Sequence, residues 1–396
     1  MLRRTALGVS LALIAAAAVG PAMAQSKPPI KVGFILPYTG FASNLVPYFE
    51  TGFLMGVDDV NAAGGVNGSR LEVLKEDDQL RPPEAVRGYR KLARDGAFVA
   101  FGPISSTAWE TVVPLTGEDK LPIINTTAQK PQIGNSKYTL RMTSHDLKMM
   151  PQGVAAFAKA EPRVKRVVIM GDVKEVATKT ALDSFEREAK ANGMQVLDTI
   201  DFTTQTTEFS PIVIKLRQLN PDAIMVSSLT AAFVALAKEM NAQRFKVPVL
   251  SNLIFWPANG INLIAPLDMT VYAMGFGTNE ATGRPAYDSY ITRYQQRLAS
   301  DNRVPRPANA ANSVVAYEAV QLAAHVMRER NIDGSMPAAR ARDLIADGLQ
   351  KVEAWNGSLL YFTFDGQRDA YIPPRLVKAD NQRQMWVFAD EPPKTN

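Results

Sequence analysis

The sequence predicts an α/β protein made of two successive parallel-layered units, and three observations carry that reading. Short β-branched runs alternate with helical patterns along most of the chain, as in parallel strands joined by crossover helices. The alternation restarts after Asp146, which gives two units of similar size. The chain has 396 residues, 46% hydrophobic and 21% charged, enough length and apolar content for two buried cores.

In chain order, 30–36 (IKVGFIL) is a strand, and 48–63 is an apolar-periodic helix stopped by Gly64-Gly65. A strand at 71–75 runs into Glu76-Asp77-Asp78, a helix follows at 83–95, and strands at 97–101 and 121–125 flank a helix that opens after Thr107. In the second unit, helices at 151–160, 178–192, 209–219 and 230–242 alternate with strands at 166–170, 195–200, 223–226 and 247–250. The chain is expected to cross back near 275–279 into helices at 285–300 and 309–330. The tail reads as antiparallel strands at 359–364, 375–378 and 384–388, with an Asp365-Gly366 turn.

Composition narrows the function. The chain has no Cys and 2 His, which excludes disulfides, thiol nucleophiles and Cys-ligated metals and disfavours His-based metal or acid–base chemistry. No cofactor and no metal is expected. A formal charge of +5 is small and scattered, so no nucleic-acid partner is implied. Residues 1–24 read as a secretory signal: Arg3 and Arg4, an apolar run at 11–19, and Ala22-Met23-Ala24 as a cleavage pattern before Gln25. Cleavage after Ala24 would release a periplasmic monomer; an uncleaved membrane anchor is the competing reading.

Ligands of open parallel sheets bind beyond the carboxyl ends of the strands. That rule selects three loops: Pro37-Tyr38-Thr39-Gly40, Ile104-Ser105-Ser106-Thr107 and Asn125-Thr126-Thr127-Ala128-Gln129. The second opens a helix, whose free N–H groups favour an anion. Ser106 or Thr107 is therefore either a plain N-cap or a donor to a ligand carboxylate.

These residues carry a resemblance. Val32-Gly33, Thr39-Gly40, the run Asp59-Val60-Asn61-Ala62-Ala63-Gly64-Gly65-Val66-Asn67-Gly68, and Glu76-Asp77-Asp78 with Pro83, Ala85 and Val86 are similar to the periplasmic leucine/isoleucine/valine-type binding proteins. Phe101-Gly102, Ser105-Ser106 and Leu140-Arg141 continue the match. The resemblance implies the type I periplasmic-binding fold: two doubly wound parallel-sheet lobes joined by three crossovers, a ligand in the cleft, and an inner-membrane ABC permease as partner. One lobe is expected at 25–145 plus 278–352 and the other at 146–277 plus 353–396, with crossovers near 142–147, 275–280 and 351–357.

The resemblance also implies a site. Tyr38 lies on the first loop, and Asn44 and Leu45 would supply a first-lobe apolar contact. Ser105, Ser106, Thr127 and Gln129 would hold a carboxylate. Leu229 and Leu253 would meet the ligand from the second lobe, with Asp146 at the first crossover and Asp172 after the first strand of lobe two. Amino-acid binders of this family place an acid near the ligand ammonium, and Leu253 stands there, followed by Ile254, Phe255 and Trp256. Acid lost and apolar surface gained points to an aromatic or otherwise apolar carboxylate, with hydrophobic amino acids as the runner-up.

Simpler roles compete. Trp256 is either a half-buried loop aromatic or a stacking platform. His145 is expected to be a hydrogen-bonded hinge residue, Asp77-Asp78 to cap loops at a strand end, and Arg340 to Arg342 to be solvated helix surface. A ligand-sensing receptor component is an alternative to transport. An exported hydrolase using His145 and a Ser is disfavoured, because the chain has no G-x-S-x-G elbow.

Overall fold

The computed structural model describes residues 27–40, 42–130, 136–173, 176–203, 206–228, 230–252, 260–302, 304 and 310–389. The expected signal at 1–24 lies outside these residues.

The first unit starts from β1 (Ile30–Leu36). Its side chains alternate between faces, as a strand requires. Ile30, Val32, Phe34 and Leu36 enter one cluster, and Ile35 enters another. The first cluster is covered by α1 (Val46–Ala62), with α10 (Pro285–Arg297), α11 (Ala311–Glu329) and α12 (Ala338–Leu349) returning from later in the chain. The second is covered by α2 (Pro82–Arg94) and α3 (Ser106–Val112). Between these layers lie β2 (Leu71–Asp77), β3 (Val99–Phe101), β4 (Ile123–Asn125) and β5 (Thr139–Arg141), in the parallel order β2-β1-β3-β4-β5. The short α4 (Thr116–Asp119) precedes β4.

The second unit repeats that winding. Its helices are α5 (Asp146–Ala160), α6 (Val176–Ala191), α7 (Ser210–Leu219), α8 (Thr230–Ala242) and α9 (Gly260–Ile264). They alternate with β6 (Arg166–Asp172), β7 (Gln195–Phe202), β8 (Ala223–Ser227), β9 (Val249–Ser251) and β10 (Val271–Gly275). The parallel part runs β7-β6-β8-β9-β10, the same second-first-third-fourth-fifth order as the first sheet. Antiparallel β14 (Arg375–Asp380) and β15 (Met385–Phe388) extend it beyond β10. A separate small sheet holds β11 (Ala354–Asn356), β12 (Tyr361–Phe364) and β13 (Ala370–Tyr371).

The structure revises several expectations. The second unit's first helix begins at Asp146 rather than 151, and Pro151 sits inside it. Pro removes one hydrogen bond there without ending the helix. The apolar side chains of 353–372 pack with the first unit, although Lys148 of α5 reaches Asp365: Leu359, Leu360, Phe362, Ala370 and Ile372 belong to the first core, and the chain joins the second sheet only at Arg375. Buried Glu318 of α11 is the reason, because it accepts from Trp355 Nε1 at 2.7 Å and Leu359 N at 2.6 Å. Arg342 is not solvated surface. It is buried, and it donates to the carbonyls of Ala93 at 2.7 Å and Ala97 at 2.8 Å at the end of α2.

The first core depends on how closely α1 and α11 approach. A Cβ at Gly52 would stand 2.2 Å from the Ser313 carbonyl oxygen, and one at Gly56 would stand 2.9 Å from Val320 Cβ. The Gly52 contact is with backbone, which cannot rotate away. Gly52→Ala is therefore expected to destabilise by about 1–3 kcal/mol of overpacking, despite the ~1 kcal/mol alanine gains in helix propensity. Chemical denaturation reads the outcome, and a variant more stable than wild type would show that the helices yield.

Candidate functional site

The crossovers set the position of the site. The chain leaves the first sheet at the carboxyl end of β5 and, after four intervening residues, enters α5 of the second core. It leaves the second sheet at the carboxyl end of β10 and returns to α10 of the first core. Both sheets therefore present their carboxyl edges on the side where the chain crosses. In each sheet the winding reverses there, between β1 and β3 and between β6 and β8, where ligands of such folds sit.

On the first sheet this edge is an interlocked pair of loops. Asn125 closes β4 and spends its whole amide on them: Nδ2 donates to Pro103 O at 2.6 Å, and Oδ1 accepts from Thr127 N at 2.9 Å and Ala128 N at 2.7 Å. Thr127 Oγ1 donates to Ile104 O at 2.9 Å. Ser105 is the N-cap of α3, accepting from Ala108 N at 3.0 Å. Ser106 is not the cap. Its Oγ accepts from Gln129 N at 3.0 Å and Lys130 N at 3.3 Å, which leaves its proton to give. Gln129 Nε2 donates to Thr127 O at 3.2 Å and Thr143 Oγ1 at 3.4 Å, while its Oε1 is buried without a partner. Ser106, Thr127 and Gln129 are thus brought together, and Asn125 joins them as the residue that sequence reasoning missed. Its place at a strand end with two following amides in reach was the available signal.

The loop after β1 is fastened by contacts of its own. Tyr38 OH donates to Glu50 Oε1 at 3.0 Å, and Lys75 Nζ lies 5.7 Å from the ring centroid. Burial and the Glu50 carboxylate push the phenol well above its usual range. Asp77 accepts from Thr39 Oγ1 at 2.5 Å and Gln79 N at 3.0 Å, and Asp78 accepts from Leu80 N at 2.9 Å, so both acids cap the turn at this strand end. Asn44 is exposed, and Leu45 packs partly on the first core.

Two neighbours at the first crossover are buried with unmet polarity. Asp146 opens α5, is fully buried, and neither carboxyl oxygen has a partner. Burial raises it to about 7. His145 is not the hydrogen-bonded hinge residue expected at its ring: Nδ1 is buried without a partner, and burial, with Arg141 and Lys148 nearby, lowers it to about 4. Around them the crossover is firmly tied. Arg141 forms a bidentate pair with Asp369, Nε to Oδ1 at 2.7 Å, and donates through Nη1 to Lys130 O at 2.5 Å. Ser144 Oγ donates to Ala370 O at 3.2 Å and accepts from Ile372 N at 2.7 Å.

On the second sheet, Asp172 ends β6 and is buried, and its carbonyl accepts from Thr178 Oγ1. Ser227, Ser228, Ser251 and Asn252 are buried at the ends of β8 and β9. Leu229, Leu253 and Trp256, with Ile254 and Phe255, lie outside the described residues.

Two wound lobes with facing carboxyl edges define a two-lobed binding protein of the type I periplasmic class. The chain belongs to the periplasmic binding protein family, whose model matches residues 29–371. It is 23% identical over 339 residues to a Leu/Ile/Val-binding protein homolog of Brucella melitensis, covering 84% of this chain and 87% of the relative. Its fold matches the substrate-binding protein LivJ of Streptococcus pneumoniae in complex with isoleucine (TM-score 0.75, 19% identity, 89% of this chain and 97% of that one). It also matches a solute-binding protein of R. palustris in complex with benzoate (TM-score 0.71, 16% identity, 91% and 95%).

The buried pair at the crossover has a measurable consequence. Asp146 is held above its unfolded value, so its contribution is fully present below about pH 4 and is lost as pH rises towards 7. His145 is held below its unfolded value, so its contribution is present above about pH 6.5 and is lost as pH falls towards 4. Asp146→Asn removes only the first effect. In ligand-free protein it is expected to raise the melting temperature at pH 7 and to leave it nearly unchanged at pH 4. Equal shifts at both pH values would mean that Asp146 is paired in solution.

Proposed function

We propose that this protein is the solute-binding component of an ABC importer, which captures a small apolar carboxylate in the interlobe cleft and delivers it to the inner-membrane permease. The single observation that carries the reading is the interlocked cluster of Ser106, Thr127 and Gln129 at the carboxyl edge of the first sheet, held rigid by Asn125. Its unused Ser106 proton and fixed loop geometry suit a carboxylate. Export by the segment 1–24, a monomeric state and binding without chemical conversion belong to the same reading. Relatives that bind isoleucine or benzoate support an apolar acid as cargo.

The magnitudes are sufficient. A micromolar dissociation constant needs about 8 kcal/mol. Burying an aromatic ring of roughly 150 Å² at ~25 cal/mol/Å² supplies about 4 kcal/mol, and charge-assisted hydrogen bonds supply the remainder.

A thermal-shift panel of aromatic acids, branched-chain amino acids, dicarboxylates and amides tests the reading, because binding to the folded state alone raises the melting temperature. Stabilisation by amides but by no carboxylate would overturn it. Ser106→Ala is expected to weaken the stabilising acid by about 1.5–3 kcal/mol in calorimetry, with the fold intact. Wild-type affinity in that variant would remove Ser106 from the site.

A second reading rests on Asp146. A fully buried carboxyl with both oxygens unpartnered would suit a ligand ammonium, and an amino acid would then be the cargo. Asp146→Asn separates the two by calorimetry. Affinity for an aromatic acid should barely change under the first reading, whereas loss of tight leucine binding would establish the second.

A further inference from the structure

The carboxyl edge of the second sheet carries a polar group that no described residue engages. Asn252 follows β9 directly, and its backbone N–H donates to Val226 O at 3.2 Å, which fixes it beside the end of β8. Its side chain is fully buried, yet neither Oδ1 nor Nδ2 has a hydrogen-bond partner. Buried amides are rarely left so, because the group gave up its water contacts to reach that place.

The other lobe supplies an internal control. β4 and β9 are the fourth strands of two identically wound sheets, and an asparagine stands at the end of each, Asn125 as the last residue of β4 and Asn252 just past β9. Asn125 spends both ends of its amide on neighbouring loops. Asn252, at the matching strand end, spends neither. The same residue type at the same topological position is therefore structural in one lobe and unemployed in the other. It stands on the edge of the sheet from which the return crossover leaves.

We propose that Asn252 is a specificity residue of the second lobe, which hydrogen-bonds a hydroxyl substituent on the bound carboxylate. A hydroxyl both donates and accepts, so one such group satisfies Oδ1 and Nδ2 together. The assignment rests on the carboxylate reading above and refines it: the first lobe holds the carboxylate, and the second reads the polar substituent at the ligand's other end. The preferred class is a hydroxylated small acid over its unsubstituted counterpart.

The test is calorimetry with two matched ligand pairs, 3- or 4-hydroxybenzoate against benzoate and threonine against valine. Wild-type protein is expected to prefer the hydroxylated member of the pair it binds by roughly tenfold or more. Asn252→Leu and Asn252→Ala should reduce that ratio to near one, and either folded variant suffices. A purely structural role would weaken both members of a pair equally and leave the ratio unchanged, which overturns the proposal. Equal wild-type affinity within the bound pair also overturns it while leaving the carboxylate reading intact. Failure of all four acids to bind overturns the proposal, and the carboxylate reading falls with it only if no acid of the wider thermal-shift panel stabilises the protein.

Discussion

The bidentate pair between Arg141 and Asp369 is the contact on which the geometry of the site depends. Arg141 ends the last strand of the first sheet, is almost completely buried, and meets Asp369 in the turn before β13. Its remaining nitrogen reaches the Lys130 carbonyl, so one guanidinium joins the sheet end, the end of the proposed carboxylate loop and a distant part of the chain. Only arginine supplies enough donors in a fixed planar fork for all three. Removing one member of a buried pair leaves an uncompensated charge, a loss of about 3–5 kcal/mol. Lys148 reinforces the junction by pairing with Asp365 at 2.7 Å and donating to Asp369 O at 3.1 Å.

The two lobes share a winding order and differ in how they finish their edges. In the first, hydroxyls and amides close on one another through Asn125, Thr127 and Ser106, and a surface so fixed loses little freedom when it accepts an anion. In the second, the buried polar groups at strand ends include one with no internal use.

The crossover itself stores unmet polarity. Asp146 and His145 are adjacent, both buried, and each is shifted towards its neutral form. Their effects on stability run in opposite directions between about pH 4 and 6.5, so the folded protein is buffered there against a cost that either would impose alone. Stability given up at a junction between lobes is the pattern expected where function, not packing, selects the residue.

The alternating strands and helices, the restart after Asp146, the loops at strand ends and the family likeness were legible in the sequence, because periodicity and turn chemistry are local properties. That Ser106, Thr127 and Gln129 lie near one another was legible for the same reason: Ser106 opens the helix that follows β3, and Thr127 and Gln129 lie in the loop that follows β4. The rest was decided by contacts between residues far apart in the chain. Arg342 and Pro151 were misread locally, since burial against Ala93 and Ala97 and a helix start at Asp146 are not visible in their neighbours. The tail crosses later than its pattern implied, because Glu318 captures Trp355 and Leu359 across roughly forty residues of sequence. Asn125 and Asn252 look alike as letters. Only the tertiary structure separates them, because a side-chain amide's role depends on which backbone groups the fold places within about 3 Å of it.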